Sequence, residues 1–236
     1  MINPWKKFNG ESRPYLLDED KKIIEDFKEK VKHPKHRIDV NSLPVPFQGD
    51  PFKAKVILLQ LNPGSDIPPG FEDEEDHALK VYPKLKKDIL KNNRHEKLEY
   101  PFYDLNPAYR LYGGFRYWLK VWQHFIKSKE DYKKISRKIC CIEFFPYHSR
   151  NYKHFSKVLR CQNYNFGLVR QAIGRKALIV IMKGKGLKND GVWLKQKEVK
   201  KLKNYEKLIT LKSRSPILSK NNIYGNGFKQ IEEALK

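Results

Sequence analysis

Side chains that could do chemistry are plentiful in this chain, yet most lack the spacing that chemistry requires. The seven histidines include the pairs His33/His36 and His148/His154, but no HExxH run and no cysteine–histidine set with zinc spacing accompanies them. A metal site is therefore not expected. Gly184/Gly186 and Gly225/Gly227 are isolated glycine pairs and no GxxxxGK[ST] phosphate loop occurs, so turns account for them. Two-metal nuclease chemistry would need several carboxylates near strand ends, and residues 101–236 hold nine acids in all. The acidic run Glu72–Asp76 has the composition of a solvated helix start or loop tip. Two loops remain, Asn62–Gly70 (NPGSDIPPG) and Ser213–Gly227, together with Glu143 inside the run KICCIEFFPYHSR.

The elements that must position them are legible as short apolar runs. Lys55–Leu61, Lys138–Phe145, Ala177–Met182 and Leu208–Lys212 are nearly continuous in hydrophobic residues, the pattern of strands buried on both faces. Helical periodicity lies between and around them. Gly114–Lys127 places Phe115, Trp118, Leu119, Trp122, Phe125 and Ile126 on one stripe, and Glu19–Val31, Phe166–Arg175 and Phe228–Leu235 behave alike. The expected fold is α/β, a three-layer α/β/α sandwich with a central, mostly parallel four-stranded sheet. Residues 1–236 read as one domain, with residues 1–50 a helical extension packed on it. Lys195–Lys207 fits either an exposed helix or a disordered lysine-rich insert. In open parallel sheets ligands sit beyond the carboxyl ends of the strands, which is where both loops fall.

The chain of 236 residues carries 49 Lys plus Arg against 27 Asp plus Glu, a formal charge of +22. The excess is localised. Residues 1–100 hold 19 basic and 18 acidic side chains, whereas residues 101–236 hold 30 and 9. Aromatic residues interleave with these charges in FRYWLKVWQHF, PYHSRNYKHF and NNIYGNGFK. Bases stack on such rings while lysine and arginine neutralise phosphates, so nucleic acid is the expected partner. A lysine-rich surface that merely confers solubility is the alternative. No apolar run approaches the roughly 18 residues of a membrane span, and no apolar segment follows the lysines at the N-terminus. Three cysteines, Cys140, Cys141 and Cys161, fit neither a disulfide framework nor a four-thiolate site. A cytoplasmic protein with no membrane contact, acting as a monomer, is expected.

At the two loops the sequence resembles the uracil-DNA glycosylase superfamily. VILLQLNPGSD is similar to the family's first motif in the Asn-Pro-Gly form of the mismatch-specific thymine/uracil branch, and LITLKSRSPILSKNNIYGNGFKQIEEAL is similar to the second. The resemblance covers roughly Phe52 to Leu235, with two motifs in order, each after a strand. It implies a monofunctional DNA glycosylase that flips a nucleotide out of the stack and hydrolyses its N-glycosidic bond, with neither metal nor organic cofactor.

The resemblance also assigns expected roles. Asn62 would hold the attacking water; asparagine is no strong base, but its amide oxygen can orient water and stabilise a sugar cation. An Asx-turn before Pro63 is the structural alternative. Gly64 stands where the strict uracil enzymes carry a tyrosine that closes the pocket against C5 substituents, so its presence would admit C5-substituted pyrimidines. Glu143 would face the base edge; a carboxylate only accepts hydrogen bonds, which suits the exocyclic amine of cytosine better than uracil. Its charge would require protonation or a partner such as Arg150, and an ion pair with a surface lysine is the alternative. Ser213 matches the histidine that stabilises the leaving base in the strict uracil enzymes, with Arg214 beside it. Ser215, Pro216 and Ser219 match the phosphate-pinching part of the loop, Ile217 or Leu218 the apolar wedge, and Lys220 and Arg150 would add grip on DNA. Phe102 or Tyr103 would stack on the flipped base, with core packing as the alternative. Together these point to a C5-modified cytosine as substrate, as in phage DNA carrying hydroxymethylated or glucosylated cytosine. A uracil/thymine mismatch enzyme and a catalytically silent nucleic-acid-binding module are the rivals.

Overall fold

A computed structural model of the chain describes residues 1–65, 77–155, 157–182 and 191–236. Each of the four apolar runs becomes a strand, the first three because their side chains are removed from water on both faces, the last with only Ile209 fully buried. These are β2 (Val56–Gln60), β3 (Ile139–Glu143), β4 (Leu178–Ile181) and β5 (Leu208–Thr210), preceded by the short β1 (Phe47–Gly49). They form one mixed sheet in the order β1-β3-β2-β4-β5. β3, β2, β4 and β5 run parallel, and β1 lies antiparallel on the β3 edge, pairing Phe47 with Ile142 and Gly49 with Cys140.

The sheet thus has five strands where four were expected. β1 is three residues long, has a polar centre at Gln48 and ends in glycine, so no apolar run announces it. Gly49 adopts φ +98°, and a Cβ there would stand 2.4 Å from the Ile139 carbonyl oxygen. Only glycine lets the chain pass that close. The first fifty residues are consequently more than a helical extension: they supply an edge strand and seat Trp5, Leu43 and Phe47 in the interior.

Around the sheet lie α1 (Asp18–Lys30), α2 (His77–Val81), α3 (Pro83–Asn93), α4 (Gly113–Trp122), α5 (Lys129–Ser136), α6 (Gln162–Gly174), α7 (Gly191–Lys195) and α8 (Gly227–Leu235). Strand side chains alternate between two cores. Ile57, Leu59, Ile142 and Ile179 meet Ile24 of α1, Leu168 of α6 and Trp193 of α7, while Val56, Leu58, Ile139 and Val180 meet Trp118 and Trp122 of α4 and Ile231 of α8. A third cluster joins Leu85 and Ile89 of α3 to Tyr103, Tyr109 and Phe115.

Two helix boundaries differ from the periodicity. α4 stops at Trp122, and Phe125 and Ile126 fold back in a turn onto the Trp122 carbonyl. α6 starts four residues before Phe166, at Gln162. Within Lys195–Lys207 a 3₁₀ stretch, Lys197–Asn204, breaks at Val199 and is pinned by buried Val199 and Leu202, so it is neither a regular helix nor an unanchored insert. The acidic run at 72–76, the end of the first loop at 66–70 and the Gly184/Gly186 pair lie outside the described residues. Among the described residues no helix is long and apolar enough to cross a membrane.

Candidate active site

Parallel strands bring the carboxyl ends of β2, β3, β4 and β5 to one side of the sheet, and the polar side chains collect there. The end of β2 is held from two directions: the Gln60 carbonyl accepts from Phe144 N at 3.0 Å and from Trp193 Nε1 at 2.7 Å. β3 is held likewise, with Asn165 of α6 donating to the Glu143 carbonyl and Gln162 to the Phe144 carbonyl. Rigid strand ends therefore carry the loops.

Asn62 follows β2 and its amide nitrogen is fully engaged. Nδ2 donates to the carbonyls of Pro63 at 2.7 Å and Ser149 at 2.9 Å and to Ser149 Oγ at 2.9 Å. Carbonyl oxygens only accept, so the nitrogen must face them and the amide cannot be flipped. Its Oδ1 points the other way, and among the described residues no group donates to it. The turn itself is built by residues that sequence reasoning passed over. His148 sets one ring nitrogen 2.6 Å from the Gly64 carbonyl and the other 2.9 Å from that of Leu43, and Ser149 N donates to the Pro63 carbonyl. Ser65 Oγ reaches buried Asp39, which also accepts from Asn41 N and Ser42 N. Gly64 is exposed, and a Cβ built on it would meet no described residue within 4 Å.

Glu143, the last residue of β3, is buried and lies beside Gln60 in the parallel register. Its Oε1 is 3.5 Å from Cys141 Sγ. Arg150 is exposed and makes no ion pair with it; it stands next to Ser149 at the rim of the Asn62 turn. The same face carries Tyr117 of α4, whose hydroxyl accepts from Gln60 Nε2 at 2.8 Å. Burial, then the charge of Asp104, pushes the Tyr103 phenol up, and burial pushes the Asp104 carboxyl up to about 7, opposed by the nearby Gln48 amide. Asp104 Oδ1 has no hydrogen-bond partner among the described residues.

The loop after β5 is organised by Asn222, a residue that composition alone does not single out. Its Oδ1 accepts from Ser213 N at 3.1 Å and Ser213 Oγ at 2.7 Å, and its Nδ2 donates to the carbonyls of Ser215 and Ile217, both at 2.8 Å. Ser213 Oγ also accepts from Ser215 N, so its hydrogen and one lone pair are committed within the loop. That corrects the role expected of Ser213: it shapes a turn and has no hydrogen to offer a departing base, which leaves Arg214, exposed beside it. Ser215, Pro216, Ile217 and Ser219 are half-buried along the loop, and Lys220 is exposed with its Nζ 5.6 Å from the Phe228 ring centre.

Leu218 is fully buried in the second core and its N–H donates to the Val121 carbonyl of α4. It is an anchor, which removes it as a wedge; Ile217 is the apolar residue at the loop surface. Neither Phe102 nor Tyr103 offers an open face for stacking: Phe102 packs edge-on against Trp118 in the core, and Tyr103 is buried. Among the described residues Tyr117 and, in the loop after β5, Tyr224 are the large rings on this side that reach the surface. α4 thus joins the two loops, through Gln60 at one end and Leu218 at the other. Among the described residues no cluster of histidine, cysteine, aspartate and glutamate could hold a metal ion, and all three cysteines are buried thiols. The chain matches no family model, no curated protein and no solved structure.

Proposed function

We propose that the protein is a monofunctional DNA glycosylase that extracts a C5-modified cytosine and hydrolyses its N-glycosidic bond, leaving an abasic site. In this reading the sheet and its helices form a three-layer sandwich like that of the uracil-DNA glycosylase superfamily. The observation that carries it is Asn62: three acceptors hold its nitrogen, so its oxygen is presented at the strand ends with a fixed direction. A water donating to that oxygen would have a lone pair left for the anomeric carbon as the sugar becomes cationic. Asparagine takes no proton as a strong base would, so the base must leave readily, and the exposed Arg214 is the cation to which this reading gives stabilisation of its negative charge. Glu143 suits an exocyclic amine, the absence of a side chain at Gly64 suits a C5 group, and the positive second part of the chain suits the DNA backbone. Removal of hydroxymethylated or glucosylated cytosine from phage DNA, as an antiviral defence in the cytoplasm, is the role this chemistry fits.

Duplexes carrying uracil, a G·T mismatch, hydroxymethylcytosine or glucosyl-hydroxymethylcytosine, incubated with the protein and then treated with alkali, test the reading. Strand breaks at the modified cytosines are expected. Breaks at uracil or the mismatch alone would make it a repair enzyme, and salt-sensitive binding with no breaks on any duplex would make it a binding module.

A further inference from the structure

The helix that joins the two loops begins, close to the strand ends, with a leucine left in water. Tyr117, one turn into α4, accepts from Gln60 at 2.8 Å, and Gln60 stands two residues before Asn62. Gly113, the first residue of α4, is about 6 Å from Tyr117 along the helix axis, and Leu111 comes just before it. Leu111 is 70% exposed, whereas Ile217 is half-buried and Leu218 fully buried. Its turn is firmly built. The main-chain N–H groups of Tyr109, Arg110 and Tyr112 donate to the carbonyls of Asn106, Pro107 and Tyr109, and the buried Tyr109 donates its hydroxyl to Asp88 at 2.7 Å. A single leucine on a surface is common; the charge around this one sets it apart. Residues 105–129 hold five lysines and arginines and no acid, and Arg110, Arg116 and Lys120 are exposed with no ion pair among the described residues.

We propose that Leu111 is the wedge that enters duplex DNA as the modified nucleotide leaves it, and that Arg110 and Arg116 hold phosphates beside it. The inference rests on the glycosylase reading and deepens it, because a base drawn out toward Asn62 leaves a gap in the stack. An apolar side chain that fills the gap exchanges water for base faces and opposes the return of the nucleotide. Ile217 already spends part of its surface on the protein, whereas Leu111 has most of its surface still to bury. A hydrogen-bonded turn also has little conformational freedom left to lose on insertion. The segment suits phosphates because it carries no carboxylate to repel them. Arg116 and Lys120 lie four apart on one face of α4. The grip therefore continues along the helix toward Val121, where the loop after β5 is tied down through Leu218.

The test measures single-turnover excision of 5-hydroxymethylcytosine from a duplex, paired with guanine, and from the same strand alone, with 2-aminopurine next to the modified base to report unstacking. Leu111→Ala is expected to lower the ratio of duplex to single-strand rate by about tenfold or more, the effect of one leucine side chain left unburied. It should also shrink the rise in 2-aminopurine fluorescence on the duplex, and Leu111→Met should restore most of both. Arg110→Ala and Arg116→Ala should each reduce the slope of log affinity against log salt by about one. A ratio unchanged in Leu111→Ala, whether both rates hold or both fall, would overturn the wedge and leave the glycosylase reading standing. Unchanged salt slopes would take the arginines off the phosphates. A dimer of the free protein that Leu111→Ala abolishes would assign the leucine to a second copy and overturn the inference too. If the wild type cuts neither substrate, the glycosylase reading fails and fluorescence alone decides: a rise that Leu111→Ala loses keeps the wedge, and any other result overturns it.

Discussion

Replacing Asn62 by aspartate separates the present reading from a simpler expectation. A carboxylate is the stronger base, so chemistry alone would predict a faster enzyme. The structure predicts a slower one. Asn62 Nδ2 lies 2.7 Å from the Pro63 carbonyl and 2.9 Å from the carbonyl and hydroxyl of Ser149. In Asn62→Asp an oxygen would face two carbonyl oxygens at those distances, and only the Ser149 hydroxyl could turn to donate. Two or three hydrogen bonds at about 0.5–1.5 kcal/mol each are lost, and the new repulsion adds to that, for a total of about 2–4 kcal/mol. If that energy is what holds the amide oxygen in place, single-turnover excision of hydroxymethylcytosine at neutral pH should fall by about 30- to 1,000-fold, since about 1.4 kcal/mol is a factor of ten. The defect should carry its own pH signature. A protonated aspartic acid can donate once, so activity should recover as pH falls through an aspartate pKa raised by its carbonyl neighbours. Excision measured from pH 5 to 8 by alkali cleavage would show both effects. Asn62→Asp as fast as wild type at pH 7 would refute the orientation argument, and Asn62→Ala with unchanged turnover would remove Asn62 from the mechanism.

Asp104→Asn should flatten the pH dependence of stability: the native carboxyl stays protonated up to about 7 while the unfolded one ionises near 4, so the wild type loses stability as pH rises across that window, by about 4 kcal/mol at most. Urea midpoints from pH 4 to 8 measure it, and an unchanged slope would exonerate Asp104. Asn222→Ala should cost about 2–4 kcal/mol by unmaking four hydrogen bonds of the loop after β5, and should weaken duplex binding in fluorescence anisotropy; retained affinity would detach that loop from DNA. Gly64→Tyr should melt like wild type, because no described residue stands within 4 Å of a Cβ there, yet exclude glucosylated cytosine. Cleavage of that bulky base by the variant would disprove the pocket argument.

How much of this was legible without coordinates depends on the interaction involved. The four parallel strands were plain, because burial on both faces demands uninterrupted apolar runs, and Val56–Gln60 and Ile139–Glu143 fall inside the runs expected of them. β1 was hidden, because pairing through the main chain leaves Gln48 and Gly49 free to look like a loop. The same cause hid His148 and Ser149, which work by hydrogen bonds to carbonyls distant in the chain, and Asn222, which ties together its own loop; none of these bonds has a periodicity to read. Leu218 and Phe102 misled in the opposite sense. Their types suit a wedge and a stacking ring, but the buried area that each gains against α4 outweighs exposure, and sequence alone does not tell which face of a loop turns inward.

The placement of β1 sets a schedule for folding. Its partner lies 95 positions later, Phe47 against Ile142, and β3 must also find β2 before the edge is complete. On a ribosome the N-terminal fifty residues would wait, with Trp5, Leu43 and Phe47 unshielded, until β3 has emerged. Contacts of such long range close slowly. A chain shortened to begin after Asp50 would leave the β3 edge uncovered, with Cys141, which pairs with Gln48, and the Glu143 N–H, which donates to the Pro46 carbonyl, offering unpaired main-chain groups to another molecule. Such a truncation should therefore show itself first in the pellet of an expression culture, as intermolecular strand pairing, before any loss of chemistry could be measured.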